Sequence, residues 1–340
     1  MRLLHSRTVI FIIVFISLLI FSQMFIPITT GPSTMELIKP VFGSTFVQSW
    51  YCRNWNQNRW IQELTMLQNV GINEIIIQDV ADTKSKHAFY PTRIPDYTHN
   101  DIDMVGTLLT AADILGMKIR VGLGFNNDWW HKNAKDITWL NNEAAINKSI
   151  VDEIMAMYRS HPSLAGWYIP YEFSQFTAST RTDQSNLNSF YKQIANEIKL
   201  LSEQNIMVAP FYNSTYSPQS GFLSWAYMIR NILSGTGIDI IAMQDSVGTG
   251  YNTISQLANV YATSKMGAAE MQLYAVTETF TSTSTGNVSA PQGRINAQLS
   301  AEMPYVNGFV AFSFERFQNG NNDLKLSNYN DYYNYYLTHN

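Results

Sequence analysis

Two glutamates stand where apolar runs of the sequence end, and both could take part in acid–base or nucleophilic chemistry. Glu172 closes the stretch GWYIPYEF (166–173), and Glu278 lies in LYAVTETF (273–280). Cleavage of a glycosidic bond needs two carboxyl groups that flank it: one protonates the leaving oxygen, and the other attacks the anomeric carbon or activates water. We therefore interpret Glu172 and Glu278 as a candidate catalytic pair.

Polar and aromatic residues recur at the ends of the other apolar runs. Aromatic rings can stack on the apolar faces of sugars, and amide groups can hydrogen-bond to sugar hydroxyls. This inventory suits a neutral polar ligand such as a polysaccharide. The predicted substrate-binding residues are Trp50, Gln78, Asn126, Trp129, Trp130, Tyr171, Tyr212, Asn213, Gln244, Asp245, Phe314 and Glu315.

Each of these residues also has a purely structural interpretation. The two candidate catalytic glutamates could form surface salt bridges, although few basic residues lie near them in the sequence. Glu315 is the main rival for a catalytic role, but its neighbour Arg316 offers it an ion-pair partner, and we favour that pairing. Trp129 and Trp130 could pack within a loop as readily as stack on a sugar.

Eight short apolar segments alternate with helical patterns after about residue 40. They are rich in β-branched and aromatic residues and apolar on both faces, as buried parallel strands are. Their starts lie roughly 30 to 50 residues apart, which leaves room for a crossover helix in each gap. The predicted strands are 44–49, 73–78, 118–124, 164–170, 206–211, 238–243, 271–276 and 308–314.

This alternation predicts an α/β fold, a single-domain (β/α)8 TIM barrel over residues 41–340. The carboxyl ends of the strands meet at one face of such a barrel, which would bring the two glutamates together. A doubly wound open sheet is the competing fold, but no G-x-G-x-x-G follows the first strand. TETFTSTSTGNVSAPQG, after the seventh strand, is interpreted as a polar loop, and a last helix is predicted around YNDYYNYYLTH.

Composition excludes several classes of function. The 340 residues carry a net charge of −4 with no basic run, which argues against a nucleic-acid partner. Cys52 is the only cysteine, and the six histidines form no H-x-H or H-E-x-x-H pattern, so we expect no metal and no cofactor. The barrel is expected to be a monomer.

The N-terminus has the pattern of a membrane segment. Arg2 and Arg7 precede an apolar run from Val9 to about Ile28, close to the roughly 20 residues that span a bilayer. We interpret residues 1–30 as a signal anchor and 31–40 as a short stalk, with a cleaved signal peptide as the alternative. The positive flank would stay in the cytoplasm and leave the barrel outside, anchored at the cell surface or secreted.

The chain resembles the clan A glycoside hydrolases, family 5 among them, because glutamates follow its fourth and seventh strands. It is also similar to a bacterial family of glycanase-like barrels through GSTFVQSW (43–50) and QDSVG (244–248). Some members of that family sit beside exopolysaccharide synthesis machinery, including clostridial cellulose-type synthases. The resemblance implies a retaining endoglucanase acting on a β-1,4-linked, cellulose-like polysaccharide, with Glu172 as acid/base and Glu278 as nucleophile. Retention implies carboxyl groups about 5 to 5.5 Å apart.

The sequence departs from the clan A pattern at two places. The residue before the acid/base is usually Asn, which contacts the sugar 2-hydroxyl, but here it is Tyr171; Asn126, Asn213 and Gln244 are candidates to replace that contact. The usual tryptophan of strand eight is replaced by Phe312 or Phe314. A polysaccharide-binding barrel without catalysis, or an accessory subunit of an exopolysaccharide synthase, therefore stays open as an alternative.

Overall fold

The computed structural model describes residues 38–216 and 221–340. Eight parallel strands close into a barrel in which each strand pairs with its neighbours in the sequence and the last pairs with the first. The predicted barrel is confirmed, and every predicted strand overlaps an observed one. The strands are β1 (Ser44–Val47), β2 (Glu74–Ile77), β3 (Lys118–Gly122), β4 (Leu164–Tyr168), β5 (Asn205–Val208), β6 (Ile240–Gln244), β7 (Gln272–Glu278) and β8 (Gly308–Phe312).

A long helix follows each strand and covers the outside of the barrel. The first is capped at its N-terminus by Asn56, whose side chain accepts a hydrogen bond from the Arg59 amide, and it buries the predicted apolar stripe Trp60, Leu64 and Leu67. The helices are α1 (Gln57–Gln68), α2 (Met104–Leu115), α3 (Ile137–Tyr158), α4 (Arg181–Leu201), α5 (Gly221–Leu233), α6 (Ile254–Ala268), α7 (Gln292–Glu302) and α8 (Leu326–His339).

Shorter elements decorate the carboxyl ends of the strands. The segment interpreted as a polar loop after β7 is instead an antiparallel hairpin, Phe280–Thr283 with Gly286–Ser289. Its Thr, Phe and Val residues favour extended backbone, and Gly286 turns the chain at φ 122°. The other short elements are the strands Ala81–Asp82, His87–Ala88, Thr98–His99 and Gly124–Phe125, the helices Ser49–Cys52, Trp129–Lys132 and Phe314–Phe317, and the 3-10 turns Asn133–Lys135 and Asp323–Lys325.

The strands bury both of their faces, which explains their continuous apolar sequence. One apolar cluster fills the barrel interior, and a larger one lies between the strands and the helices. At the amino end of the barrel the buried Arg120 guanidinium pairs with Glu74 at 2.9 Å and donates to the Asn205 carbonyl at 2.8 Å. At the opposite, carboxyl end, Gln244 and Glu278 are the last residues of β6 and β7.

The predicted signal anchor and most of the predicted stalk lie outside the described residues and stay predictions. Within 38–216 and 221–340, none of the helices has the length and apolar character needed to cross a bilayer.

Candidate active site

Glu172 stands four residues beyond β4, and neighbouring groups fix its backbone and carboxyl group. The Trp129 indole donates to its carbonyl oxygen at 2.9 Å, and the Tyr168 hydroxyl approaches its Oε1 at 3.4 Å. The side chain is partly buried. Burial raises the pKa of Glu172 to about 7, against the opposing hydrogen bonds from Gln244 and Tyr168. The carboxyl group can thus hold a proton near neutral pH.

Glu278 is the last residue of β7, and only 4% of its surface is exposed. The Thr249 amide donates to its Oε2 at 2.7 Å. Burial, followed by the charge of Asp245, raises the pKa of Glu278 to about 8. Gly248 lets the loop after β6 pass this close, because a Cβ there would collide with the Phe280 carbonyl oxygen and lie 2.9 Å from Glu278 Oε2.

Glu172 and Glu278 line the same pocket, which has a volume of about 280 Å³. Phe211 is the centre of its aromatic wall: its ring stacks with Tyr251 at 6.2 Å between centroids and meets Phe176 at 5.8 Å and Trp130 at 6.3 Å. The lining residues are Trp130, Glu172, Phe176, Phe211, Gln244, Ser246, Thr249, Tyr251 and Glu278. The two carboxyl groups can serve as proton donor and nucleophile. The aromatic wall can stack on an uncharged ring that has apolar faces.

Two of the predicted substrate-binding residues, Trp130 and Gln244, lie in this pocket. Gln244 ends β6, and its Nε2 donates to the Ala209 carbonyl at 2.8 Å, which fixes the amide beside Glu172. Of the three candidates to replace the missing Asn contact, Gln244 is therefore the one placed next to the predicted acid/base.

Two predicted contacts in the loops after β3 and β4, Trp129 and Tyr171, are wrong because the side chains belong to the core, and a third residue, Asn126, is bound to another side chain. Tyr171 and Trp129 have no exposed surface, so they cannot stack on a sugar. The Tyr171 hydroxyl and the Asn126 amide both donate to the buried Glu143 carboxylate, each at 2.7 Å. Tyr171 therefore points away from the pocket that its neighbour Glu172 lines, and Asn126 is held by Glu143.

Three further predicted contacts, those of Tyr212, Phe314 and Asp245, are corrected because these side chains are also buried. Tyr212, 2% exposed, packs against Phe222 and Trp225. Phe314 has no exposed surface and lies in the core, whereas Phe312 is partly buried and is the register partner of Glu278.

Asp245 also has no exposed surface, so direct contact with substrate is excluded. Its carboxylate instead accepts from the backbone amides of Glu278 and Val247, at 3.3 and 3.0 Å.

The remaining predicted residues lie elsewhere. Trp50 is 57% exposed on the helix after β1, and Gln78 Oε1 accepts from Gln48 at 2.7 Å. The side-chain oxygen of Asn213 accepts a hydrogen bond from the Thr215 backbone amide at 2.9 Å, within the same loop.

The predicted ion pair between Glu315 and Arg316 is wrong. Arg316 stacks over the Trp50 ring at 4.9 Å, whereas the Glu315 carboxylate is buried and has no hydrogen-bond partner among the described residues.

The sequence reasoning missed Phe176, Phe211, Ser246, Thr249 and Tyr251. Phe211 falls within the predicted fifth strand, and the predicted site residues after that strand begin one position later, at Tyr212. The others lie in loops, where no periodic pattern shows which side chains turn inward. In the described parts of the chain, no group of three or more His, Cys, Asp or Glu side chains is arranged to hold a metal ion.

The fold and the pocket define the class: a (β/α)8 barrel with two carboxyl groups at the carboxyl ends of β4 and β7. The chain belongs to the family described as Domain of unknown function (DUF4434), which it matches over residues 42–323. No curated protein sequence matches it significantly.

Solved structures share the fold at low sequence identity. A proposed alpha-L-fucosidase from Bacteroides thetaiotaomicron is 19% identical with a TM-score of 0.74, covering 91% of this chain and 99% of its own. The endo-1,4-beta-D-mannanase of Thermotoga petrophila is 15% identical with a TM-score of 0.55, covering 80% and 88%. The endo-1,4-beta-mannanase of Rhizomucor miehei is 12% identical with a TM-score of 0.53, covering 80% and 85%. At these identities the likeness establishes the fold alone.

Proposed function

We propose that this protein is a retaining glycoside hydrolase that cleaves a β-linked glucan within its chain. The proposal depends on one observation: Glu172, which follows β4, and Glu278, which ends β7, line the same pocket beside a wall of aromatic rings. Barrels of the same shape include two named mannanases, which supports a polysaccharide substrate.

In the proposed mechanism Glu278 attacks the anomeric carbon and Glu172 first protonates the leaving oxygen, then activates water. In the free protein burial raises both pKa values, to about 7 for Glu172 and about 8 for Glu278. The reactive form is the one in which Glu278 is ionised and Glu172 carries the proton, because a protonated Glu278 cannot attack; Glu172 then gives this proton to the leaving oxygen as the bond to the anomeric carbon breaks.

The finer assignments rest on the resemblance and on the N-terminal sequence. A β-1,4-glucan of the cellulose type, made by the same cell, is the proposed substrate. The protein would act outside the cytoplasm, anchored to the membrane or secreted, as a monomer in contact with an exopolysaccharide synthase. Fractionation of cells that make the polysaccharide, followed by detection of the protein and the synthase in one membrane complex, tests these assignments.

Hydrolysis of a panel of β-glucans and β-mannans, followed by release of reducing ends, tests the catalytic proposal. Glu172→Gln and Glu278→Gln should each lower kcat by about 10²-fold or more, and the exposed Glu270→Gln should not change it. The Glu172 variant should keep more activity on a substrate whose leaving group needs no proton. Retention would be shown by the configuration of the first product, and an inverted product would contradict the mechanism.

A polysaccharide-binding barrel without catalysis is the second candidate, because Tyr171 replaces the usual Asn and its side chain is turned into the core. Binding of a glucan without turnover, unchanged in both Gln variants, would favour this candidate. If the wild-type protein neither binds nor cleaves a glucan but associates with a synthase, an accessory subunit would be favoured.

A further inference from the structure

Two buried carboxyl groups lie behind Glu278, and the proposed mechanism does not use them. Asp245 directly follows β6, and Glu302 is the last residue of α7. Neither side chain has exposed surface. An isolated charge in such a place would be strongly destabilising, so their partners decide in which protonation state they exist.

Asp245 is directed at the backbone that carries Glu278. Both of its carboxylate oxygens lie 3.3 Å from the Glu278 amide nitrogen, and Oδ1 also accepts from the Val247 amide at 3.0 Å. The Gln298 side chain donates to Oδ2. Burial raises the pKa of Asp245, but the donors on both of its oxygens oppose that effect, so Asp245 is the member of the pair equipped to carry a negative charge.

Glu302 is equipped to carry a proton. Its Oε2 accepts from the Thr277 hydroxyl at 2.8 Å, and its Oε1 has no hydrogen-bond donor among the described residues. Ionisation of a buried carboxyl group with an unpaired oxygen is unfavourable, whereas the protonated group is neutral and can donate to the neighbouring Asp245. Burial, together with the charge of Asp245, raises the pKa of Glu302 well above its usual range. The pair therefore holds one proton and one negative charge.

Of the other titratable groups around the pair, Arg294 offsets part of the negative charge without a hydrogen bond to either carboxylate. From α7, the Arg294 guanidinium donates to the carbonyl oxygens of Glu278 and Phe280 rather than to either carboxylate. From α6, the Tyr261 hydroxyl donates to the Met243 carbonyl at 2.9 Å. Glu278 on β7 is thus the acidic group that faces the charge on Asp245.

We propose that Asp245 and Glu302 are a proton-sharing positioning pair, which holds one negative charge against the Glu278 backbone and thereby controls when Glu278 ionises. The link to catalysis rests on the proposed function, whereas the link to Glu278 ionisation does not. Removal of the charge should let Glu278 ionise at lower pH. Replacement of the proton-bearing partner by a neutral amide should change little, because an amide can still donate to Asp245 and accept from Thr277.

Carboxyl ¹³C NMR of protein labelled at Glu and Asp tests this without any need for turnover. The Glu278 resonance is assigned by its loss in Glu278→Gln and followed through the pH range in wild type, Asp245→Asn and Glu302→Gln. Asp245→Asn should move the Glu278 titration to lower pH by about one pH unit, and Glu302→Gln should leave it nearly unchanged. In active protein, the acidic limb of the pH–rate profile should move with it.

An unchanged Glu278 titration in Asp245→Asn, or an equal shift in both variants, would overturn the proposal. If Asp245→Asn does not fold, wild-type protein still decides: at pH 7 the resonances of Asp245 and Glu302 must show one protonated and one ionised group. Two ionised groups would refute the shared proton. A shifted titration in a protein that cleaves no glycan would instead contradict the proposed function alone.

Discussion

Replacement of Glu315 by Gln should make the protein more stable in alkaline solution while leaving its stability in acid almost unchanged. Glu315 is 4% exposed, and neither carboxylate oxygen has a hydrogen-bond partner among the described residues. Burial raises its pKa to about 8 from a usual value of 4.5. The folded protein therefore keeps the proton through a pH range in which the unfolded chain has lost it.

The direction and the size of this pH-dependent change in the free energy of unfolding follow from proton linkage. Because the pKa is higher in the folded state, the stabilising effect is complete below about pH 4.5 and is lost as pH rises towards 8. Each unit of pKa difference is worth about 1.4 kcal/mol, so Glu315 alone should cost about 4 kcal/mol between pH 5 and pH 9. Glu315→Gln keeps the shape and removes the ionisation. The variant should match wild type at pH 5 and exceed its free energy of unfolding by about 4 kcal/mol at pH 9.

Urea unfolding at pH 5, 7 and 9, followed by circular dichroism and tryptophan fluorescence, measures the difference. Other ionisable groups cancel in the comparison of variant with wild type. Glu270→Gln, an exposed carboxylate, serves as the control and should show a difference that does not depend on pH. If the Glu315 difference were the same at pH 5 and pH 9, the carboxylate would have to be ionised and compensated throughout, and the reasoning from its burial would be refuted.

Three other predictions concern the pocket. A plot of kcat/KM against pH should be bell-shaped with its maximum between about 7 and 8, the pKa values of Glu172 and Glu278, falling about tenfold per pH unit on either side; a maximum near pH 5 would contradict it. Phe211→Ala should lower kcat/KM about 10- to 100-fold, measured on a soluble glucan, whereas Phe211→Tyr should keep most of the activity, and equal loss in both would show that stacking is not the cause. Gly248→Ala should lower the free energy of unfolding by about 1 to 3 kcal/mol and also lower kcat, since the loop must move away from Glu278; unchanged kcat and urea midpoint would contradict the close approach.

The fold was predictable from the sequence because parallel strands buried on both faces leave a plain signal. Segments such as 206–211 and 308–314 are short, apolar and bounded by helical patterns, and each overlaps an observed strand. Strand ends were less predictable. Phe211 lies beyond the end of β5 at Val208, and β7 continues to Glu278, two residues past its predicted end.

The sequence predicted which strand ends contribute to the site, but it often indicated the wrong one of two adjacent residues. Neighbouring side chains along extended backbone point in opposite directions, so one faces the pocket and the next faces the core. Glu172 lines the pocket and Tyr171 packs against Phe190; Gln244 lines it and Asp245 lies behind it. The sequence marks both members as polar or aromatic but does not tell which direction each takes after the strand ends.

The hairpin after β7 contacts both the loop after β6, which hydrogen-bonds to Glu278, and the short helix Phe314–Phe317 after β8. Its Ser282 amide donates to the Gly248 carbonyl at 2.8 Å, and its Ser289 hydroxyl donates to the Phe317 carbonyl at 2.5 Å. The loop that supplies the Thr249 amide to Glu278 is therefore braced by an exposed two-stranded ribbon, an element of low local stability. On gradual heating this brace should loosen before the strands separate, so the protein should lose catalytic competence, reversibly, at a lower temperature than the one at which its barrel unfolds.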